Sequence, residues 1–296
     1  MESCRDYIIA DNRIRVYGPK ADIVAAGVTS FEPFAVDYDA SEKPIVEIYT
    51  GLKIRAGELE SDSLTEFDFE EGQARGRFGR TDTHYTFSIE NETSQPLHLI
   101  YERATDKAYC NVGFDSEYNP SFLRFGMWFA IGLAASKHHT AAIHSSVIVA
   151  NNEAIMFLGE SGTGKSTHTR LWRENIEGAT LLNDDSPFLR IVDGKAIVYG
   201  SPWSGKTPCY KSESYPLRAI VRLSQAPHNA IRRLRGAQAI GALLPSMPPA
   251  FAFDEELEER MIDILSATMT DVALYHLECL PNSEAAHLSY NTVFGL

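Results

Sequence analysis

Cysteine is scarce in this chain. Four residues, Cys4, Cys110, Cys209 and Cys279, are scattered over 296 positions, and no two of them form a C-x-x-C pair. A zinc ribbon or a thioredoxin-type redox site therefore has no support. Isolated thiols suit a reducing compartment, and the expectation is a cytoplasmic protein. The opening residues, Met1-Glu2-Ser3-Cys4-Arg5-Asp6, lack the basic and apolar regions of a secretory signal. Long apolar runs are lacking too: the best candidate, Phe125–Ser136, is far short of the ~20 residues that span a bilayer. Its spacing of Phe122, Phe125, Phe129 and Leu133 predicts a buried helix instead. Basic charge is in deficit, with 27 Lys and Arg against 40 Asp and Glu, a net charge of −13. A field of that sign repels nucleic acid and anionic membranes, so neither is expected as a partner. Internal repeats and low-complexity tracts are absent, and 44% hydrophobic residues exclude dominant disorder.

What is present divides in two. Residues 1–115 read as a β-rich module, with short alternating strands such as Arg13–Tyr17, Ala74–Phe78 and Leu97–Tyr101. An antiparallel sheet, curled or folded into a small sandwich, is expected there, with no chemical signal. Residues 116–296 mix strands and helices: a helix at Ser121–Lys137, a strand at Ala142–Ala150, a turn at Asn151-Asn152 and a strand at Glu153–Leu158. A second hairpin, around Asp193-Gly194, follows a predicted helix at Ser166–Glu174. Hairpins beside helices imply a mixed sheet with α+β character, not a purely parallel one.

The chemistry is concentrated in Gly159-Glu160-Ser161-Gly162-Thr163-Gly164-Lys165-Ser166, which satisfies G-x-x-x-x-G-K-[ST] between an apolar strand and a helix that opens with Ser166-Thr167. Glycines let the backbone approach an anion, and consecutive N–H groups at a helix N-terminus surround phosphate oxygens with positive dipoles. The Lys165 ammonium reaches the β- and γ-phosphates, and the Ser166 hydroxyl can complete a Mg²⁺ shell. ATP and Mg²⁺ are the expected cofactors. Nineteen residues past Lys165, the apolar run Leu181-Leu182-Asn183 ends in Asp184-Asp185. One carboxylate can hold Mg²⁺ and the other can take a proton from an attacking hydroxyl. Neighbours on a regular strand point to opposite faces, so both serve only if the backbone is irregular there. Lys206, in the Pro/Gly-rich loop Gly200–Pro208, and Arg222 are further candidates for contact with substrate or phosphate.

Taken together, Ile143-His144-Ser145-Ser146-Val147, the loop Gly159–Ser166 and Asp184-Asp185 resemble the nucleotide site shared by HPr kinase/phosphorylase and ATP-dependent phosphoenolpyruvate carboxykinase. In both families a strand histidine lies some fifteen residues ahead of the loop's first glycine, and His144 stands fifteen before Gly159. The resemblance covers roughly residues 140–225 and implies a mixed-sheet P-loop kinase domain. It implies Lys165, His144 and Asp185 as catalytic, with Asp185 the base, and Ser166 and Asp184 at the metal. It does not extend to the carboxykinase's oxaloacetate-binding residues or to the further Mg²⁺-binding glutamate of HPr kinase. The expected activity is ATP-dependent phosphoryl transfer to a hydroxyl on a protein, peptide or small molecule, by a protein able to form oligomers. The alternative is a non-catalytic nucleotide-responsive binding module.

Overall fold

A computed structural model describes residues 3–18, 29–69, 73–112, 120–205 and 207–296. Two compact units emerge, one of residues 1–138 with 252–257 and one of residues 139–251 with 258–296.

The first unit holds one sheet of nine strands: β1 (Ser3–Ile9), β2 (Asn12–Gly18), β3 (Ala35–Val36), β4 (Val46–Tyr49), β5 (Asp62–Phe69), β6 (Ala74–Arg80), β7 (His84–Glu90), β8 (Leu97–Glu102) and β9 (Lys107–Cys110). Their spatial order is β3-β1-β2-β4-β9-β8-β7-β6-β5. The expected antiparallel pairing holds for most of it, but β4 runs parallel to both β2 and β9, so the module is not wholly antiparallel. β1 carries two adjacent charged residues, Arg5 and Asp6, and still lies in the sheet. Its Asp6, wholly buried, receives two bonds of 2.8 Å from Arg15 and one of 2.7 Å from Arg13. A charge-assisted cluster of this kind makes burial of a carboxylate tolerable. Helix α1 (Pro120–Ser136) covers the predicted apolar segment and packs on β4, β7 and β8. Phe129 stacks on Phe87 at 4.2 Å and meets Phe78 edge-on at 4.8 Å. Among the described residues, no helix is long and apolar enough to cross a membrane.

The second unit is built on β10 (Thr140–Ala142), β11 (Ser145–Ala150), β12 (Glu153–Leu158), β13 (Thr180–Asp185), β14 (Phe188–Val192), β15 (Lys195–Tyr199), β16 (Ser214–Gln225), β17 (Ala230–Leu234) and β18 (Ala273–Cys279). The main order is β10-β14-β15-β16-β12-β11-β13, with β18 on β16 and β17 on β18. This is a mixed α/β sheet, as the hairpins require. The β11–β12 turn puts Asn151 and Asn152 at φ 54° and 59°, the left-handed pair of a two-residue hairpin turn. Helices α2 (Lys165–Asn175), α3 (Ala237–Leu243), α4 (Glu255–Asp271) from Glu258 onward and α5 (Ser283–Phe294) complete the unit. α2 and α5 pack together over a core containing Ile148, Phe157, Trp172, Leu181, Val221 and Leu277.

Trp172 Nε1 donates 2.9 Å to Ser289 Oγ and 3.2 Å to His168 Nε2, and that nitrogen lies 3.1 Å from Ser289 Oγ. Burial pushes the His168 pKa down to about 4, so the ring is neutral where it joins the two helices.

The segment expected as one strand from Ala142 to Ala150 is interrupted. Ile143 donates its N–H to Pro187 and His144 donates to Ser246, at 3.0 and 2.7 Å, instead of continuing one ladder. The break falls at the histidine singled out by its spacing.

Candidate active site

β12, β16 and β18 are mutually parallel, and β11 is antiparallel to both β12 and β13. The C-terminal ends of β13, β12, β16 and β18 and the start of β11 therefore lie along one edge of the sheet. His144, the glycine-rich loop and the two acids gather on that edge. Such an edge is where ligands bind in open α/β sheets.

The loop's conformation depends on its glycines. Gly162 and Gly164 have φ of 80° and 101°, and Lys165 starts α2 directly after Gly164. A Cβ at Gly159 would lie 2.4 Å from Thr163 Oγ1. Thr163 closes the turn by donating its N–H and its hydroxyl to Glu160 O, at 3.2 and 2.8 Å. Glu160, Ser161 and Ser166 are exposed, while Gly162 is open on the surface and Thr167 is half-buried.

The Lys165 ammonium donates 2.7 Å to Gly159 O and 3.4 Å to Glu160 O, and lies 3.0 Å from His144 Nε2. Burial lowers its pKa, Asp185 and Asp184 oppose that shift, and Arg222 adds to it. On its other nitrogen, His144 Nδ1 lies 3.5 Å from Asp185 Oδ1. A lysine, an imidazole and a carboxylate thus stand in line.

Asp184, 6% exposed, accepts from the Ser146 hydroxyl and, at 3.1 Å, from the Ser166 hydroxyl. The Ser166 and Asp184 oxygens are hard donors facing an exposed loop, the kind of partial set with which Mg²⁺ keeps several waters. Among the described residues, no group of three or more His, Cys, Asp and Glu side chains has metal-binding geometry. A two-oxygen set fits a metal shared with phosphate and water and does not fit an all-protein cage.

The backbone is irregular on both sides of Asn183, next to the acids. The β11–β13 register shifts between Val147 and Ile148. Beyond the shift, the wholly buried Asn183 accepts from the N–H groups of Asp185 and Ser186, both at 3.0 Å. Its amide donates 2.9 Å to Trp203 O and 3.2 Å to Ser201 Oγ. This turn holds the backbone at Asp185 and Ser186 and ties the chain end to Ser201 and Trp203. Sequence reasoning missed Asn183; the available signal was a polar residue ending an apolar strand ahead of Ser-Pro.

A Pro/Gly-rich loop carrying Trp203 and Lys206 is able either to close over a substrate or to lie as an ordinary surface loop. Trp203 is instead buried against Phe188, 6.0 Å between ring centres, and Gly205 donates its N–H to Asp184 O at 3.1 Å. A Cβ on Gly205 would lie 2.7 Å from that same oxygen. The loop braces the acids and does not present Trp203 to a substrate. Lys206 lies outside the described residues. Arg222 stands on β16, on the flank of the loop away from the acids; it donates 3.2 Å to Ala242 O and lies 3.6 Å from Glu160.

No protein-family model matches the sequence, and no curated protein matches it. Among solved structures, the HPr(Ser) kinase/phosphatase from Coxiella burnetii is similar at 11% identity, with a TM-score of 0.31, over 52% of this chain and 94% of that one. At that score the likeness carries no functional argument.

Proposed function

We propose that the chain is an ATP-dependent phosphotransferase with an alcohol acceptor, a P-loop kinase of the HPr kinase-like type. The observation that carries this reading is the convergence of Lys165, His144, Asp184 and Asp185 beside the loop Gly159–Ser166. In this reading the loop's N–H groups hold the β-phosphate, and Lys165 leaves Gly159 O for the β- and γ-phosphate oxygens. Ser166 and Asp184 would hold Mg²⁺, which when bound neutralises charge on the transferring phosphoryl. Asp185 takes the proton of the acceptor hydroxyl as its oxygen bonds to the γ-phosphorus. The bond from that phosphorus to the β–γ bridging oxygen breaks, and ADP leaves. His144, between Lys165 and Asp185, orients the carboxylate. A base is what separates this reading from a nucleotide sensor, because sensing requires no proton acceptor.

The test is incubation with ATP–Mg²⁺ and panels of hydroxyl-bearing peptides and small molecules, with transfer followed by mass spectrometry. Asp185→Asn should lower the transfer rate about 10²–10⁴-fold while nucleotide binding persists. Transfer unaffected by that change would remove the assigned base. Tight ATP binding with no turnover on any acceptor would favour the sensing module.

A further inference from the structure

The acids occupy one flank of the loop; the other flank carries a cavity of about 380 Å³ between loop residues 160–163 and strand residues 222–225. Along the edge of the sheet the sequence of strands is β13, β11, β12, β16, β18, so the loop sits between the acids and this cavity. A nucleotide is a linear ligand. If its terminal phosphorus lies by Lys165 and the acids, its phosphate chain crosses the loop and its other end emerges over β16. We propose that this cavity takes the nucleoside, base and ribose, of the bound nucleotide, with Arg222 and Gln225 as the residues that recognise it. This rests on the reading of the loop as a nucleotide site.

The lining has the chemistry for that role. Its volume is that of a small-molecule site. Gln225 donates its side-chain amide to Gly162 O at 3.0 Å, which fixes the group against the loop and leaves its carbonyl oxygen as an acceptor. Ser224 Oγ lies 2.9 Å from His276 Nε2, a second polar pair at the rim. Arg222 is held by Ala242 O and faces the exposed Glu160, with a planar cation able to stack on a base or meet the α-phosphate. Cross-strand register continues the row from Leu158 through Arg222 and His276 to Arg232, which places two guanidinium groups on this flank, with Glu160 facing Arg222 across the cavity. Among the described residues, no aromatic side chain lines the cavity. Recognition would therefore come from hydrogen bonds to base and ribose edges and from the guanidinium, not from an aromatic sandwich.

Binding of Mg²⁺–ATP and of Mg²⁺–tripolyphosphate, which has the phosphates and no nucleoside, tests this directly. The wild-type chain should bind ATP more tightly. Gln225→Ala and Arg222→Ala should each weaken ATP binding about tenfold, the scale of one or two hydrogen bonds. Gln225→Ala should leave tripolyphosphate binding unchanged, which also reports that the loop is folded. Equal loss of both ligands in Gln225→Ala, or loss of neither in both variants, would overturn the proposal. Photolabelling of the unaltered protein with 8-azido-ATP gives an answer free of any folding defect. Label should fall on peptides containing 160–163 or 222–225, and label elsewhere alone would overturn the assignment. A wild-type chain that binds neither ligand would defeat the loop reading itself; one that binds both equally would defeat only the nucleoside site.

Discussion

The two buried acidic centres of this protein are built on opposite plans. In the first unit, Asp6 is held by three guanidinium hydrogen bonds from Arg13 and Arg15. Burial acts to raise its pKa, yet the bonds from Arg15 and Arg13 win and hold it below the ordinary carboxylate value. In the second unit, Asp184 receives only neutral hydroxyls, and the nearby Lys165 ammonium bonds to carbonyls and an imidazole. One arrangement satisfies every charge internally, and the other leaves charge capacity beside a surface loop. Buried charge alone therefore does not mark a site; buried charge without a full set of counter-charges does.

The contrast can be broken most sharply at its guanidinium-held end. Asp6→Ala strands two partly buried guanidinium groups, so chemical denaturation should show a loss of about 3–5 kcal/mol. Asp184→Asn, which keeps its shape and removes a carboxylate hydrogen-bonded by hydroxyls rather than by guanidinium groups, should lose far less; equal losses would abolish the distinction. A smaller effect comes from His168, whose folded pKa of about 4 lies below its unfolded value. The unfolded chain binds the proton first, so stability is full above about pH 6.5 and declines as pH falls toward 4. The decline is on the order of 3 kcal/mol, and His168→Gln should flatten that part of a stability–pH curve. Smallest in stability is Asn183→Ala, about 1–3 kcal/mol for the unpaired N–H groups it leaves. Its proper readout is chemical: the phosphoryl-transfer rate should fall with nucleotide affinity kept, and emission from Trp203 should shift. Unchanged turnover with altered emission would make Asn183 a brace for the loop alone.

Much of this was legible in the residue order. The glycine-rich loop, both hairpins, the buried helix α1 and the mixed sheet follow from apolar periodicity and turn chemistry, which are local. What was not legible depended on distant partners. β1 looks too charged for an inner strand until Arg13 and Arg15 are seen around Asp6. The strand break at His144 depends on Pro187 and Ser246, which are remote in the chain. The register shift ahead of Asn183 and the turn its side chain closes at the acids have no periodicity to read. The composition of loop 200–208 suits a closing loop and an ordinary surface loop equally; its hydrogen bonds to the acidic strand end make it a buttress.

The fifteen-residue interval between His144 and Gly159 has a mechanical origin. β11 and β12 pair with constant register from Ser146 opposite Phe157 to Ala150 opposite Glu153, joined by Asn151 and Asn152. His144 and Gly159 each lie two residues beyond the last of those pairs, so the turn length sets both at the same end of the hairpin. The asparagine turn, at the far end of the hairpin, therefore acts as a ruler. Lengthen it by one residue and, if the pairing slips to absorb the change, every side chain of β11 turns to the other face and the imidazole parts company with the lysine.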